Sequence, residues 1–125
     1  MRIGCGTDII EISRIKNSIQ QFGDVFLNKI FTKREIEYCE TKKNAKFQHY
    51  AARFAAKEAI YKAISSFEER HDAEFLDAEI INMENGKPKV CFLNKLEYLN
   101  NANVDISLSH CNDYAIATVV IVEGV

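Results

Sequence analysis

Residues Phe47 to Phe67 constrain this chain more than any other stretch. They contain no glycine and no proline and are rich in alanine, which predicts a long helix. At 100° per residue, Phe47, Ala51, Phe54, Glu58 and Tyr61 share one side. Ala52, Ala55, Ala56, Ala59 and Ala63 form a second side, small enough for close approach of a neighbouring element. Ile60, Ile64 and Phe67 fall on a third. A helix apolar nearly all round is a buried, central helix. Glu58 nevertheless shares its side with two phenyl rings, and Lys62 follows one turn later, about 40° round the axis.

The 125 residues suit one domain spanning 1–125 around a substantial core. A net charge of −2 argues against broad binding to the phosphate backbone of nucleic acid. The opening apolar run is too short and interrupted for a signal peptide, and no stretch has the length of a membrane span. The expected location is therefore cytoplasmic. Cys5, Cys39, Cys91 and Cys111 form no C-x-x-C pair, so reduced, mostly buried thiols are expected rather than a zinc site.

Taken in order, Ile3 to Ile10 reads as a strand with Gly4, Gly6 and Asp8 on one face. The two glycines bare the backbone there for close packing, and Asp8 ends the run. Glu11 to Phe22 has helical spacing and ends at Gly23. Val25 to Ile30 is a short apolar turn. Thr32 and Glu35 have the spacing of a capping box that opens a helix through about Glu40. Glu68 to Glu74, with His71 inside it, reads as an exposed loop. Leu76 to Met83 and Lys87 to Leu93 read as strands joined in a hairpin at Glu84, Asn85 and Gly86. Lys95 to Asn101 is a short helix, Val104 to His110 an alternating strand, and Tyr114 to Val122 a final strand buried on both faces. The class is α+β: a small, largely antiparallel sheet packed on one long central helix.

Three features could carry chemistry. On an exposed helix, Glu58 and Lys62 would be an ordinary i,i+4 ion pair. Aligned with Phe47 and Phe54, the pair would lose hydration it could not easily recover, which favours a site. Asp8, from the first strand, could join Glu58 in holding Mg²⁺, a hard cation that accepts few protein oxygens plus water and phosphate. Lys62 would then serve a phosphate or a leaving oxygen. His110, at a strand end, is more commonly a satisfied core histidine. Arg53 and Lys57 form a second basic pair, either a solvated edge or an anion contact.

These residues also resemble a family. Gly4, Gly6, Asp8, Ile9, Glu11, Arg14 and Ile15 are similar to the opening motif of the holo-acyl-carrier-protein synthases, the small bacterial 4′-phosphopantetheinyl transferases. Phe31, Thr32 and Glu35 match their second motif. Arg53 to Ala59, with Lys62 and Ala63, match the third and most specific one. Asn85 to Pro88, and Ile106 to His110 with Tyr114, Ala115 and Ala117, match the rest, in order and over essentially the whole chain.

The resemblance implies the phosphopantetheinyl transferase fold and transfer of the 4′-phosphopantetheine arm of coenzyme A to a serine of apo acyl carrier protein. Adenosine 3′,5′-bisphosphate would be released, in the service of fatty acid biosynthesis. It implies Mg²⁺ on Asp8 and Glu58, and Lys62 at the leaving phosphate. Arg53 and His110 would lie near the nucleotide phosphates, and Arg14 would meet the acidic helix of the carrier. It also implies a homotrimer with each active site at a subunit junction. Tyr61 stands where the family has a small residue. Ile64 to Phe67 stand where it has glycines. Two rival readings are a Mg²⁺-dependent nuclease and a non-catalytic trimeric module that binds the carrier. The acidic charge balance and the helical setting of Glu58 and Lys62 count against the first. The presence of Asp8, Glu58 and Lys62 together counts against the second.

Overall fold

The computed structural model describes residues 1–69 and 71–124. Strand β1 (Arg2–Glu11) leads into helices α1 (Ile12–Phe22), α2 (Asp24–Ile30), α3 (Lys33–Glu40) and α4 (Lys46–Ser65). Strands β2 (Ala78–Asn82) and β3 (Pro88–Phe92) form the hairpin. A 3₁₀ segment (Asn94–Asn101) then precedes β4 (Asn103–His110) and β5 (Tyr114–Glu123). The larger sheet is antiparallel in the order β1-β5-β4, and the hairpin is a separate two-stranded sheet.

Helix α4 lies across the inner face of the larger sheet. Gly6 pairs with Val119 and Asp8 with Ala117 on β5, so Gly4, Gly6 and Asp8 line up with the buried residues Ala117, Val119 and Ile121. A Cβ on Gly4 would overlap the Ala63 carbonyl, and one on Gly6 the Ala59 carbonyl. The bare strand and the alanine side of the helix are thus two halves of one contact. On its other flank α4 packs Ile60 and Ile64 with Ile80, Val90, Phe92, Leu96 and Leu99. Its first turns join Ile12, Ile15, Leu27, Ile30 and Phe31 in a second apolar cluster around Tyr50. The chain leaves α1 through Gly23, whose φ of +56° favours glycine.

The capping box is present: Thr32 Oγ1 accepts from the Glu35 N–H, and Glu35 Oε1 accepts from the Thr32 N–H at 2.8 Å. Glu35 does more than cap. Its Oε1 also accepts from Lys57 Nζ at 2.7 Å, and its Oε2 from the Ile80 N–H at 2.9 Å. Lys57 Nζ donates its other two protons to the carbonyls of Ile30 (2.8 Å) and Phe75 (2.9 Å). Both side chains are wholly buried. Lys57 is therefore not a solvated edge, and the anion it contacts is the buried Glu35 carboxylate rather than a ligand. It is the centre of an internal polar knot joining α2, α3, α4 and β2.

Several expectations are corrected. Strand β1 does not end at Asp8, because its ladder to β5 continues to Glu11 paired with Tyr114. Strand β5 is buried on one face only. Ala115, Ala117, Val119 and Ile121 are covered, while Tyr114, Ile116, Thr118 and Val120 are exposed, because helix α4 packs on one side of the sheet. The thiols are not mostly buried: Cys39 is buried, Cys91 intermediate, and Cys5 and Cys111 exposed. His71 is half-buried. Its ring lies 5.8 Å from that of Tyr61, and its Nε2 is 3.1 Å from Ser65 Oγ. Helix α4 stops at Ser65, short of Phe67. Among the described residues, no helix is long and apolar enough to cross a membrane.

The glycine contact yields a direct prediction. Gly6→Ala forces its methyl against backbone, which no rotamer change relieves, and should cost about 3 kcal/mol. Urea denaturation followed by circular dichroism measures the loss.

Candidate active site

The first part of the site follows from α4 and β1 being locked together. Asp8, next on the inner face after Gly6, reaches the edge of the helix. Lys62 Nζ donates to Asp8 Oδ1 at 3.2 Å and to the Thr7 carbonyl at 2.9 Å. Glu58, one turn before Lys62, is half-buried. Asp8 and Glu58 open together into a cavity of about 290 Å³, whose walls include Arg14 and Ser18 of α1, Phe26 of α2 and Phe54 of α4. Asp8, Glu58, Lys62 and Arg14 are thus gathered on one side of the molecule. A larger groove of about 700 Å³ runs between β3 and β4, and none of the sequence-predicted site residues lines it.

The electrostatics of this cavity are unbalanced. Burial, then the like charge of Asp8, raises the Glu58 carboxyl above its usual range, and Lys62 opposes this. The Lys62 side chain is 55% exposed and the Asp8 side chain 18%, so the cation sits on the solvent side. Two carboxylates meeting in a polar, solvent-open cavity with one flexible cation beside them suit a hard divalent cation bound to a polyphosphate. Among the described residues no cluster of three or more metal-ligating side chains occurs. Such an ion would therefore complete its shell with water and substrate oxygens.

Arg53 and His110 are elsewhere. Along α4, Glu58 and His49 are about 180° apart, and Arg53 lies about 40° from His49. Arg53 is 2% exposed. It donates to Asn82 Oδ1 at 2.6 Å, and its guanidinium carbon lies 4.3 Å from the Tyr38 ring centre. It is not a solvated edge, although it borders a small depression with Arg34, Tyr38 and Asn82. His110 is exposed rather than a core histidine. It pairs with Ala115 from β4, on the other side of β5 from Asp8. The ring of His49 lies 6.1 Å from it. The six predicted residues thus form two groups on opposite flanks of α4. His49 was missed by sequence reasoning. Its i,i+4 spacing to Arg53 was the available signal.

Because Glu58 has its folded pKa raised, its contribution to stability is present below the ordinary glutamate range and lost as pH rises through the folded value. Glu58→Gln should therefore raise the melting temperature at pH 7.5, and the gain should disappear near pH 4. Thermal melts across that range check the sign.

Comparison with known proteins identifies the family. The family model described as the 4′-phosphopantetheinyl transferase superfamily matches residues 4–119. A holo-[acyl-carrier-protein] synthase of Ruminiclostridium cellulolyticum is 46% identical over 128 residues, covering 99% of this chain and 95% of that protein. One of Koribacter versatilis is 42% identical over 125 residues, covering 97% and 98%. The crystal structure of a holo-(acyl-carrier-protein) synthase from Bacillus anthracis in complex with CoA (3′,5′-ADP) superposes with a TM-score of 0.78 at 32% identity, covering 97% of this chain and 96% of that one. The Helicobacter pylori enzyme in complex with coenzyme A gives 0.79 at 29% identity, covering 94% and 98%. By sequence and fold, this chain belongs to the 4′-phosphopantetheinyl transferase superfamily.

Proposed function

We propose that this protein is a holo-[acyl-carrier-protein] synthase whose one domain, residues 1–125, moves 4′-phosphopantetheine from coenzyme A to a serine of apo acyl carrier protein, for fatty acid biosynthesis. The observation that carries the reading is the convergence of Asp8 and Glu58 in one cavity, with Lys62 at its edge. Relatives more than 40% identical bear the synthase name along their whole length.

The carboxylate pair fits a magnesium ion, since the like charges of Asp8 and Glu58 are only partly offset by Lys62. When bound there, the ion supplies positive charge to the coenzyme A diphosphate. The residues do the rest. A carboxylate or a water at this site accepts the serine proton. The serine oxygen forms its bond to the β-phosphorus in line with the departing oxygen. The bond from that phosphorus to the bridging oxygen breaks, and adenosine 3′,5′-bisphosphate leaves. Lys62, half in solvent, swings from Asp8 to neutralise the departing phosphate. Arg14, on the exposed face of α1 at the cavity wall, meets the acidic helix of the carrier. Phe22 and Val25, both exposed at the neighbouring corner, extend that face with apolar surface.

Arg53 and His110 serve the nucleotide phosphates from a different subunit. Their position on the opposite flank of α4 from Glu58 supports a site shared between chains. The uncovered outer face of the larger sheet, with Ile3, Ile9, Tyr114, Ile116 and Val120 exposed, supports association with further copies, and the family resemblance makes that assembly a homotrimer. The unpaired, exposed Cys5 and Cys111 suit a reducing, cytoplasmic setting.

The assay combines protein, coenzyme A, Mg²⁺ and apo carrier, and weighs the carrier. A phosphopantetheine-sized gain is expected. Asp8→Ala and Glu58→Ala should each lower its rate at least about 100-fold with the fold intact. Full activity in either variant contradicts the assignment.

A further inference from the structure

The flank of α4 opposite Glu58 carries a cluster of cations that the reaction scheme leaves partly unused. His49 lies between two aromatic neighbours, with Tyr38 of α3 at 5.7 Å and His110 of β4 at 6.1 Å, ring centre to ring centre, both edge to face. Two permanent cations sit against Tyr38: the Arg53 guanidinium carbon at 4.3 Å and Lys42 Nζ at 4.8 Å from the ring centre. The charged groups that act on His49 are Arg53 on its own helix, Lys42 in the turn after α3, and His110 on β4. All three are positive or become so on protonation. The nearby carboxylate of Glu40 is already taken up by Tyr50 (2.7 Å) and Lys46 (3.3 Å).

Such a cluster discourages one more positive charge while it is empty. Burial, and then Arg53, Lys42 and His110, lower the His49 imidazole from its usual range, so the free protein holds it neutral at pH 7. An arriving phosphate dianion reverses that field. The cations are then neutralised, and a protonated imidazole gains a charge-assisted hydrogen bond.

We propose that His49 takes up a proton when a nucleotide phosphate docks against Arg53 and His110, so that coenzyme A binding is proton-coupled near neutral pH. The step forms one N–H bond on the His49 ring, and the proton comes from solvent buffer. No other bond changes. The inference rests on the coenzyme A reading above, and assigns His49 as a further binding residue within it.

The test is calorimetric titration of the intact protein with coenzyme A at pH 7.5 in two buffers of different ionisation enthalpy. At that pH a phosphate monoester is already mostly dianionic, so little of the proton traffic comes from the ligand. A net uptake approaching one proton per site is expected in the wild type. His49→Gln should bind several-fold more weakly and lose most of the uptake, while His110→Gln should keep it. Binding without uptake in the wild type overturns the proposal, as does uptake that survives His49→Gln and vanishes in His110→Gln. A wild type that binds no coenzyme A overturns the underlying reading instead.

Discussion

The ammonium group of Lys57 is the constraint on which the rest of the molecule depends. Buried without partners it would be prohibitive. Here each of its three protons has an acceptor, drawn from Glu35, Ile30 and Phe75. Desolvation still lowers its pKa, and Glu35 pulls the other way. The pair contributes less to raw stability than to alignment, because only one placement of α4 satisfies every group at once. Glu58 is the next residue along the helix. A rotation of α4 that moved Glu58 off Asp8 would also tear Lys57 from its carbonyls. On the facing side, Gly4 and Gly6 let the backbone of β1 meet the alanines of α4 without a layer of side chains between them. The carboxylates of Asp8 and Glu58 are held close by a polar clasp on one side of the helix and a bare-backbone contact on another.

This placement gives the helix two working faces. One presents Glu58 and Lys62 to Asp8, where like charges accumulate and raise the Glu58 carboxyl. The other presents His49 and Arg53 to His110 and Tyr38, where cations accumulate. Each face is electrostatically strained in the empty protein, and the strains are opposite in sign. Under the proposed function, a ligand carrying phosphates, together with a divalent cation, would relieve both. The faces point apart, and under the proposed function a neighbouring chain brings the second face to the ligand held at the first.

What was legible in the sequence was governed by local physics. The alanine-rich helix with its small-residue side, the Thr32 capping box, the hairpin at Asn85 and Gly86, and the bare glycine face of the first strand all follow from propensity and periodicity. The union of Asp8, Glu58 and Lys62 was offered by their chemistry as one possibility and implied by the family resemblance. The misreadings are long-range. Arg53 and Lys57 have a spacing that looks the same on a wet edge and in a dry interior, and the difference is Glu35, more than twenty residues earlier. Glu35 was recognised as a cap, and its second oxygen, bound to the Ile80 N–H, leaves no sequence signature. Strand β5 reads as buried on both faces because its outer residues are apolar too. In a single chain only one face is covered. His49 was hidden inside a helix whose other residues spoke more loudly.

Subunit complementation tests the central claim most directly. Asp8→Ala damages the carboxylate face of α4's site and His110→Ala the phosphate face, and each variant alone should be nearly inactive in phosphopantetheine transfer. If one subunit supplies the first face and its neighbour the second, unfolding the two together in equal amounts and refolding them should restore about a quarter of wild-type activity, as random assembly of a symmetric oligomer requires. A mixture that stays as inactive as its parents would contradict a site shared between the two faces of this helix.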